Sequence, residues 1–166
     1  MNIIEEYVGK SGVKYIFEYA DADSFEHLDP VLCRQVYAVC FLEDRIVIGY
    51  GGKKQNWGLI GGTIEEGETF EQTLKREIEE ESNTEVLACI PVGYQKVIDT
   101  RDNSFIYQLR YVCVARPYGP FVRDPAGSIT EIKLIDPLMY KIFFDWGKIG
   151  ERVIHRALEL KEKLVS

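Results

Sequence analysis

At 166 residues, 46% of them hydrophobic and 28% charged, the chain is long enough for one domain with a sizeable core and has the balance of a globular protein. Its net charge of −7 excludes a general nucleic-acid binder, which would need a clustered basic face to neutralise phosphates. No run reaches the ~18 apolar residues of a membrane-spanning helix, and Glu5 and Glu6 stand where an export signal carries positive charge. The cytoplasm is the expected compartment.

In chain order, residues 3–8 and 13–19 flank Gly9-Lys10-Ser11-Gly12 and predict a β-hairpin. Residues 21–34 read as irregular, because Pro30 interrupts any helix there. The runs 35–42 and 45–50, rich in β-branched and aromatic residues, surround Glu43-Asp44 and predict a second hairpin. A glycine-rich loop is expected from Gly51 to Gly62. Within it, Lys53 and Lys54 are candidate contacts for a substrate phosphate, although the GxxxxGK[ST] pattern of a phosphate-cradling loop is missing. Trp57 is a candidate to stack on a base, or else to pack beneath the loop.

The clearest helix spans 69–82. Thr69 and Gln72 fit a capping box, Phe70, Leu74 and Ile78 make the apolar stripe, and Asn83 suits the left-handed residue that ends a helix. Strands at 86–99 and 104–116 are joined by the turn sequence 100–103, a Pro/Gly-rich passage covers 117–127, and a further strand is expected at 129–135. The last helix runs from about 147 to 164, with Ile149, Val153, Ala157, Leu160 and Leu164 on one side. Hairpins dominate among interspersed helices, so the expected class is α/β (α+β), a mixed sheet sandwiched between helices in one domain covering 1–166. Cys33, Cys40, Cys89 and Cys113 contain no CxxC pair, and the last three sit in apolar strands, where buried free thiols are expected.

The chemistry lies on the first helix. At 100° per residue, Glu77, Glu80 and Glu81 share an arc of roughly 100° beside the apolar stripe rather than opposite it. Glu77 and Glu81 are like charges four apart, and Glu79, Glu80 and Glu81 crowd a helix C-terminus whose dipole favours cations. A divalent cation would reverse the sign of both costs, and carboxylates spaced i, i+3, i+4 suit magnesium or manganese.

The stretch from Gly61 to Glu85, GGTIEEGETFEQTLKREIEEESNTE, resembles the signature of the Nudix hydrolases. Gly62 opens the match, Glu68 follows at the required distance, and Arg76-Glu77-Ile78-Glu79-Glu80-Glu81 fills its core. Asn83 replaces the closing glycine, Thr84 replaces an aliphatic residue, and Ile60 replaces a common proline. The resemblance implies a Nudix-type α/β/α sandwich and hydrolysis of a nucleoside diphosphate linked to a further group, assisted by Mg2+ or Mn2+. It implies Glu77, Glu80, Glu81 and the Gly61 carbonyl as metal ligands. Arg76 is implied as the residue orienting those carboxylates, Glu68 as its partner, and Glu77 as general base. Asp102, Asp124 and Glu131 are alternative bases, each otherwise a solvated turn carboxylate. Nucleoside triphosphates are the expected substrates, because the chain carries no large extra domain, and the resemblance implies a homodimer paired through the hairpin of residues 3–19. A nucleotide-sensing module without turnover is the alternative. An isomerase of prenyl diphosphates would need a catalytic cysteine facing the site.

Overall fold

Alternating apolar residues and tight turns give eight strands, and the computed structural model describes residues 2–51, 55–119 and 129–165. The strands are β1 (Asn2–Val8), β2 (Lys14–Asp21), β3 (Cys33–Leu42), β4 (Arg45–Gly51), β5 (Asn56–Thr63), β6 (Thr84–Asp99), β7 (Phe105–Pro117) and β8 (Ile129–Ile135). The helices are α1 (Phe70–Ser82) and α2 (Gly147–Val165), with short 3-10 turns at Pro30–Leu32 and Pro137–Ile142. All strands join one sheet in the order β1-β2-β6-β7-β3-β5-β4-β8. The central β3–β7 pair is parallel and the other pairs are antiparallel, so the sheet is mixed, as expected.

Each sheet face carries one helix. Leu74 and Ile78 of α1 pack on Val36, Ala38, Cys40, Leu109 and Cys113, and all seven are fully buried. On the other face Ile149, Val153, Ile154, Ala157 and Leu160 of α2 cover Val39, Phe41, Ile46, Ile48 and Val112. Successive residues of a strand point to opposite faces, so β3 supplies both cores from one sequence.

The region read from sequence as a loop, Gly51 to Gly62, departs from that expectation. Its second half is β5, paired with β3 through Tyr37↔Gly61 and Val36↔Gly62 and with β4 through Ile48↔Leu59. Glycine loses more entropy than other residues in a strand, so a run with three of them reads as a loop. Here close approach requires two of them, Gly61 and Gly62: a Cβ on Gly61 would lie 2.1 Å from the Val36 carbonyl oxygen.

The first hairpin forms as expected and is tied to the last helix. The Glu5 carboxylate accepts from the backbone N–H of Lys148 at 3.2 Å and of Ile149 at 3.0 Å, so a side chain of β1 satisfies the free first-turn donors of α2. Further along, Arg152 donates to Asp21 of β2 at 3.2 Å and Arg156 donates to Asp23 at 2.9 Å. Glu5→Ala is expected to destabilise the protein by about 1 kcal/mol, the usual cost of a lost helix cap. A denaturant midpoint unchanged from wild type would show that water serves α2 equally well.

The cysteines require one correction. Cys33, Cys40 and Cys113 are buried and free, but Cys89 is half-exposed. It pairs with Cys113 across β6 and β7, next to a register shift between Val86 and Ala88, and packs only partly against the core on the α1 face.

Candidate active site

A short loop and α1 build the site. Thr69 caps the helix through Gln72 in both directions, at 3.1 and 2.8 Å, as the sequence predicts. Asn83 ends it in the left-handed region at φ 54°, its N–H donating to the Glu79 carbonyl at 3.0 Å. Asparagine tolerates that conformation better than other non-glycine residues, so the missing closing glycine leaves the turn intact.

Arg76 is the hub. Its Nε and Nη2 grip both oxygens of Glu68 at 2.8 and 2.9 Å, while Nη1 donates to Glu77 at 3.0 Å and to Glu80 at 3.4 Å. Glu68 accepts in addition from the Thr73 hydroxyl at 3.0 Å and from the Glu65 N–H at 3.1 Å. The guanidinium hydrogen bonds hold the Glu68 carboxyl down at about 2 against desolvation, which alone would raise it. Glu68 is thus charged at any working pH, and its two-pronged grip fixes where the Arg76 fork points.

Glu77 lies against the strand. A Cβ on Gly62 would stand 2.5 Å from its carboxyl carbon, so the bare glycine backbone is what admits it. Burial pushes the Glu77 carboxyl above its ordinary value, and the neighbouring Glu80 adds to this, against hydrogen bonds with Glu81 and Arg76. Glu81 is 4% exposed, at the core edge where the helical wheel puts it. A carboxylate desolvated beside two others needs positive charge to stay ionised.

Gly61, Glu68, Arg76, Glu77, Glu80 and Glu81 therefore converge where β5 meets α1. Among the described residues, no group of three His, Cys, Asp or Glu side chains stands arranged around a common metal position. Arg76 Nη1 takes up the space between Glu77 and Glu80. Donor chemistry nonetheless fits a hard cation, because the set is all oxygen and Glu77, raised by burial and by Glu80, is a carboxylate that such an ion relieves.

The remaining candidates separate from this cluster. Trp57 is half-buried on the α2 side, 5.7 Å from the ring of Phe143 and 5.4 Å from that of Tyr50. Lys53, Lys54 and Asp124 lie outside the described residues. Asp102 accepts from the Ser104 N–H at 3.0 Å and from its hydroxyl at 2.7 Å, the work of a turn carboxylate. Glu131 is exposed, opposite Tyr50. Cys89 is lowered first by its hydrogen bond with Cys113, and the α1 charges it feels are Glu71 and Lys75, on the flank away from Glu77 and Glu81. Two residues went unnoticed in the sequence. Thr73 was legible in principle, four positions beyond the cap. Tyr37, beneath Gly61, looks in sequence like any strand tyrosine.

Comparison with families of known proteins matches residues 31–145 to the NUDIX domain. No curated protein matches the sequence. Among solved structures, a pyrophosphohydrolase from Bacillus subtilis is similar with a TM-score of 0.65 at 13% identity, over 97% of this chain and 98% of that one. A NUDIX hydrolase from Nitrosomonas europaea gives 0.57 at 15% identity, over 76% and 89% of the two chains. A MutT NUDIX hydrolase from Burkholderia pseudomallei gives 0.57 at 18%, over 74% and 96%. At such identities the likeness is one of fold, and it bears out the α/β/α sandwich.

Proposed function

The chain belongs to the NUDIX hydrolase family, and on that premise we propose that it opens a phosphoric anhydride of a nucleoside diphosphate joined to a further group, with divalent-cation assistance and nucleoside triphosphates as preferred substrates. The observation that supports this most is the convergence of Glu77, Glu80 and Glu81 beside the bare backbone of Gly61 and Gly62, with Arg76 fixed between them. Those three carboxylates and the Gly61 carbonyl would hold Mg2+ or Mn2+. When bound, the ion neutralises diphosphate oxygens and makes water a stronger nucleophile near neutral pH.

The chain's own residues do the rest. Glu68 holds the Arg76 guanidinium, and Arg76 in turn donates to the Oε1 of Glu77 at 3.0 Å, which orients the general base. Glu77 takes a proton from the attacking water, held for that role by Arg76 and by the bare backbone of Gly62. Trp57 keeps a half-exposed ring for a nucleobase, and Lys53 and Lys54 are assigned to substrate phosphate. A homodimer would form through β1, an edge strand whose Ile4 and Val8 are 62% and 61% exposed.

The test is a panel of nucleoside diphosphate and triphosphate derivatives, assayed with magnesium and then with excess EDTA, with products resolved by mass. Cleavage at an internal anhydride that stops in EDTA is the expected result. Silence across the panel with tight binding of one nucleotide would make the protein a sensor.

A further inference from the structure

On the sheet face that carries α2, four strands align polar side chains in two adjacent rows. One row runs Thr63, Gln35, Gln108, Gln95 across β5, β3, β7 and β6, and the next runs Gly61, Tyr37, Arg110, Gly93. The amides are tied head to tail: Gln108 Nε2 donates to Gln35 Oε1 at 2.6 Å, and Gln95 Nε2 donates to Gln108 Oε1 at 3.0 Å. Arg110 Nη2 donates to that same Gln108 oxygen at 3.3 Å, and Nη1 donates to the Leu109 carbonyl at 3.4 Å. Its guanidinium lies 5.1 Å from the Tyr37 ring centre and 5.8 Å from that of Trp146.

Arg110 is only 5% exposed, yet among the described residues its hydrogen bonds go to neutral carbonyl oxygens. Arg76, Arg101, Arg116, Arg152 and Arg156 all hold a carboxylate. The most deeply buried of these cations is thus the one met by rings and amides, against the rule that a buried charge is paired. Burial accordingly lowers the Arg110 guanidinium to about 10. In that row Tyr37 stands between Gly61 and Arg110, and the residue after Gly61, Gly62, is the one that meets the Glu77 carboxyl.

We infer that Arg110, framed by Gln108, Tyr37 and Trp146, is a second anion-binding point of the substrate site, taking an oxyanion of the substrate, a phosphate in the first instance, away from the attacked phosphorus. Its purpose rests on the catalytic reading above; its binding does not. A guanidinium presents two parallel N–H groups that fit phosphate in two-pronged fashion, and a buried one gains most from it. A purine edge also offers two acceptors, but it leaves the cation uncompensated. The site therefore selects nucleotides that carry a further phosphate beside the cleaved anhydride.

The experiment is metal-free, in excess EDTA, with inorganic phosphate titrated against sodium chloride at matched ionic strength. Readouts are the thermal midpoint and the fluorescence of Trp57 and Trp146, the two tryptophans of the chain. Phosphate is expected to raise the wild-type midpoint and change the fluorescence. Arg110→Met should weaken phosphate by at least about tenfold, while Arg110→Lys, a point charge without the fork, should keep part of the response. Gln108→Glu sets a carboxylate beside the guanidinium, and Gln35 can turn its amide to donate to it. That variant should melt higher without phosphate and bind phosphate at least about tenfold more weakly.

An equal phosphate response in wild type, Arg110→Met and Gln108→Glu overturns the proposal. So does guanosine binding as tightly as GMP, which would make the point a base reader. Should Arg110→Met not fold, Gln108→Glu decides alone. A silent substrate panel with the Arg110-dependent phosphate response intact sinks only the catalytic reading; an active panel without that response sinks only this one.

Discussion

Glu77→Gln is expected to lower turnover by about 1,000-fold or more while leaving the metal-free protein at least as stable as wild type. The first half follows from losing the proposed general base and a proposed cation ligand in one step, since positioned proton transfer alone is worth on the order of 100- to 10,000-fold. The second half follows from the environment of the carboxyl. Burial raises it above its ordinary value of 4.5, and Glu80 adds to the shift. A carboxyl raised in the folded state contributes most to stability below its unfolded value, and that contribution is lost as pH rises through the higher folded value. At neutral pH the ionised Glu77 therefore weakens the fold, and a neutral glutamine of the same shape removes that cost. Glutamine Oε1 still accepts from Arg76, so the hub survives. Turnover within tenfold of wild type in a folded Glu77→Gln protein would refute the assignment of Glu77 as base. A sharp drop in the metal-free midpoint would refute the electrostatic account.

That pairing of lost activity with retained stability explains why the helix was legible in sequence. Its cap, stripe and left-handed terminus obey local rules, and each of those rules concerns residues at most four positions apart. The glutamates break local rules at the same place, and a cluster of violations within one turn points to a site. β5 obeyed no local rule. Its glycines serve contacts with Val36, Tyr37 and Glu77, which are distant in sequence, so periodicity and propensity both misread them. Arg110 is a similar case. A lone arginine in the run Gln108-Leu109-Arg110-Tyr111-Val112 looks like an outward-facing strand position, and only the register with Tyr37 and Gly93 reveals that it points under α2. Cys89 was misread for the opposite reason: an apolar run implied full burial, and the folded sheet covers it only in part. What depends on strand pairing has no signature in a single strand.

The two adjacent glycines of β5 separate fold from chemistry, because the same substitution meets different atoms one residue apart. A Cβ on Gly61 would lie 2.1 Å from the Val36 carbonyl oxygen and 2.6 Å from the Tyr37 Cα, both backbone atoms of the neighbouring central strand. No rotamer relieves that contact, so β3 and β5 must move apart and their hydrogen bonds must lengthen. Gly61→Ala is expected to cost about 3 kcal/mol, at the upper end of what overpacking a core usually costs. A Cβ on Gly62 would instead stand 2.5 Å from the Glu77 carboxyl carbon and Oε1, the far end of a side chain that can withdraw. Gly62→Ala is therefore expected to cost no more than about 1 kcal/mol in stability. Its effect falls on catalysis, because displacing a general base by about 1 Å can cost on the order of 100-fold in rate. Denaturant midpoints and steady-state rates on both variants give the comparison. If Gly62→Ala proved as unstable as Gly61→Ala, Glu77 would be held too rigidly to yield, and the loss of rate would follow from unfolding. If Gly62→Ala were stable and fully active, the position of Glu77 against β5 would not govern the reaction.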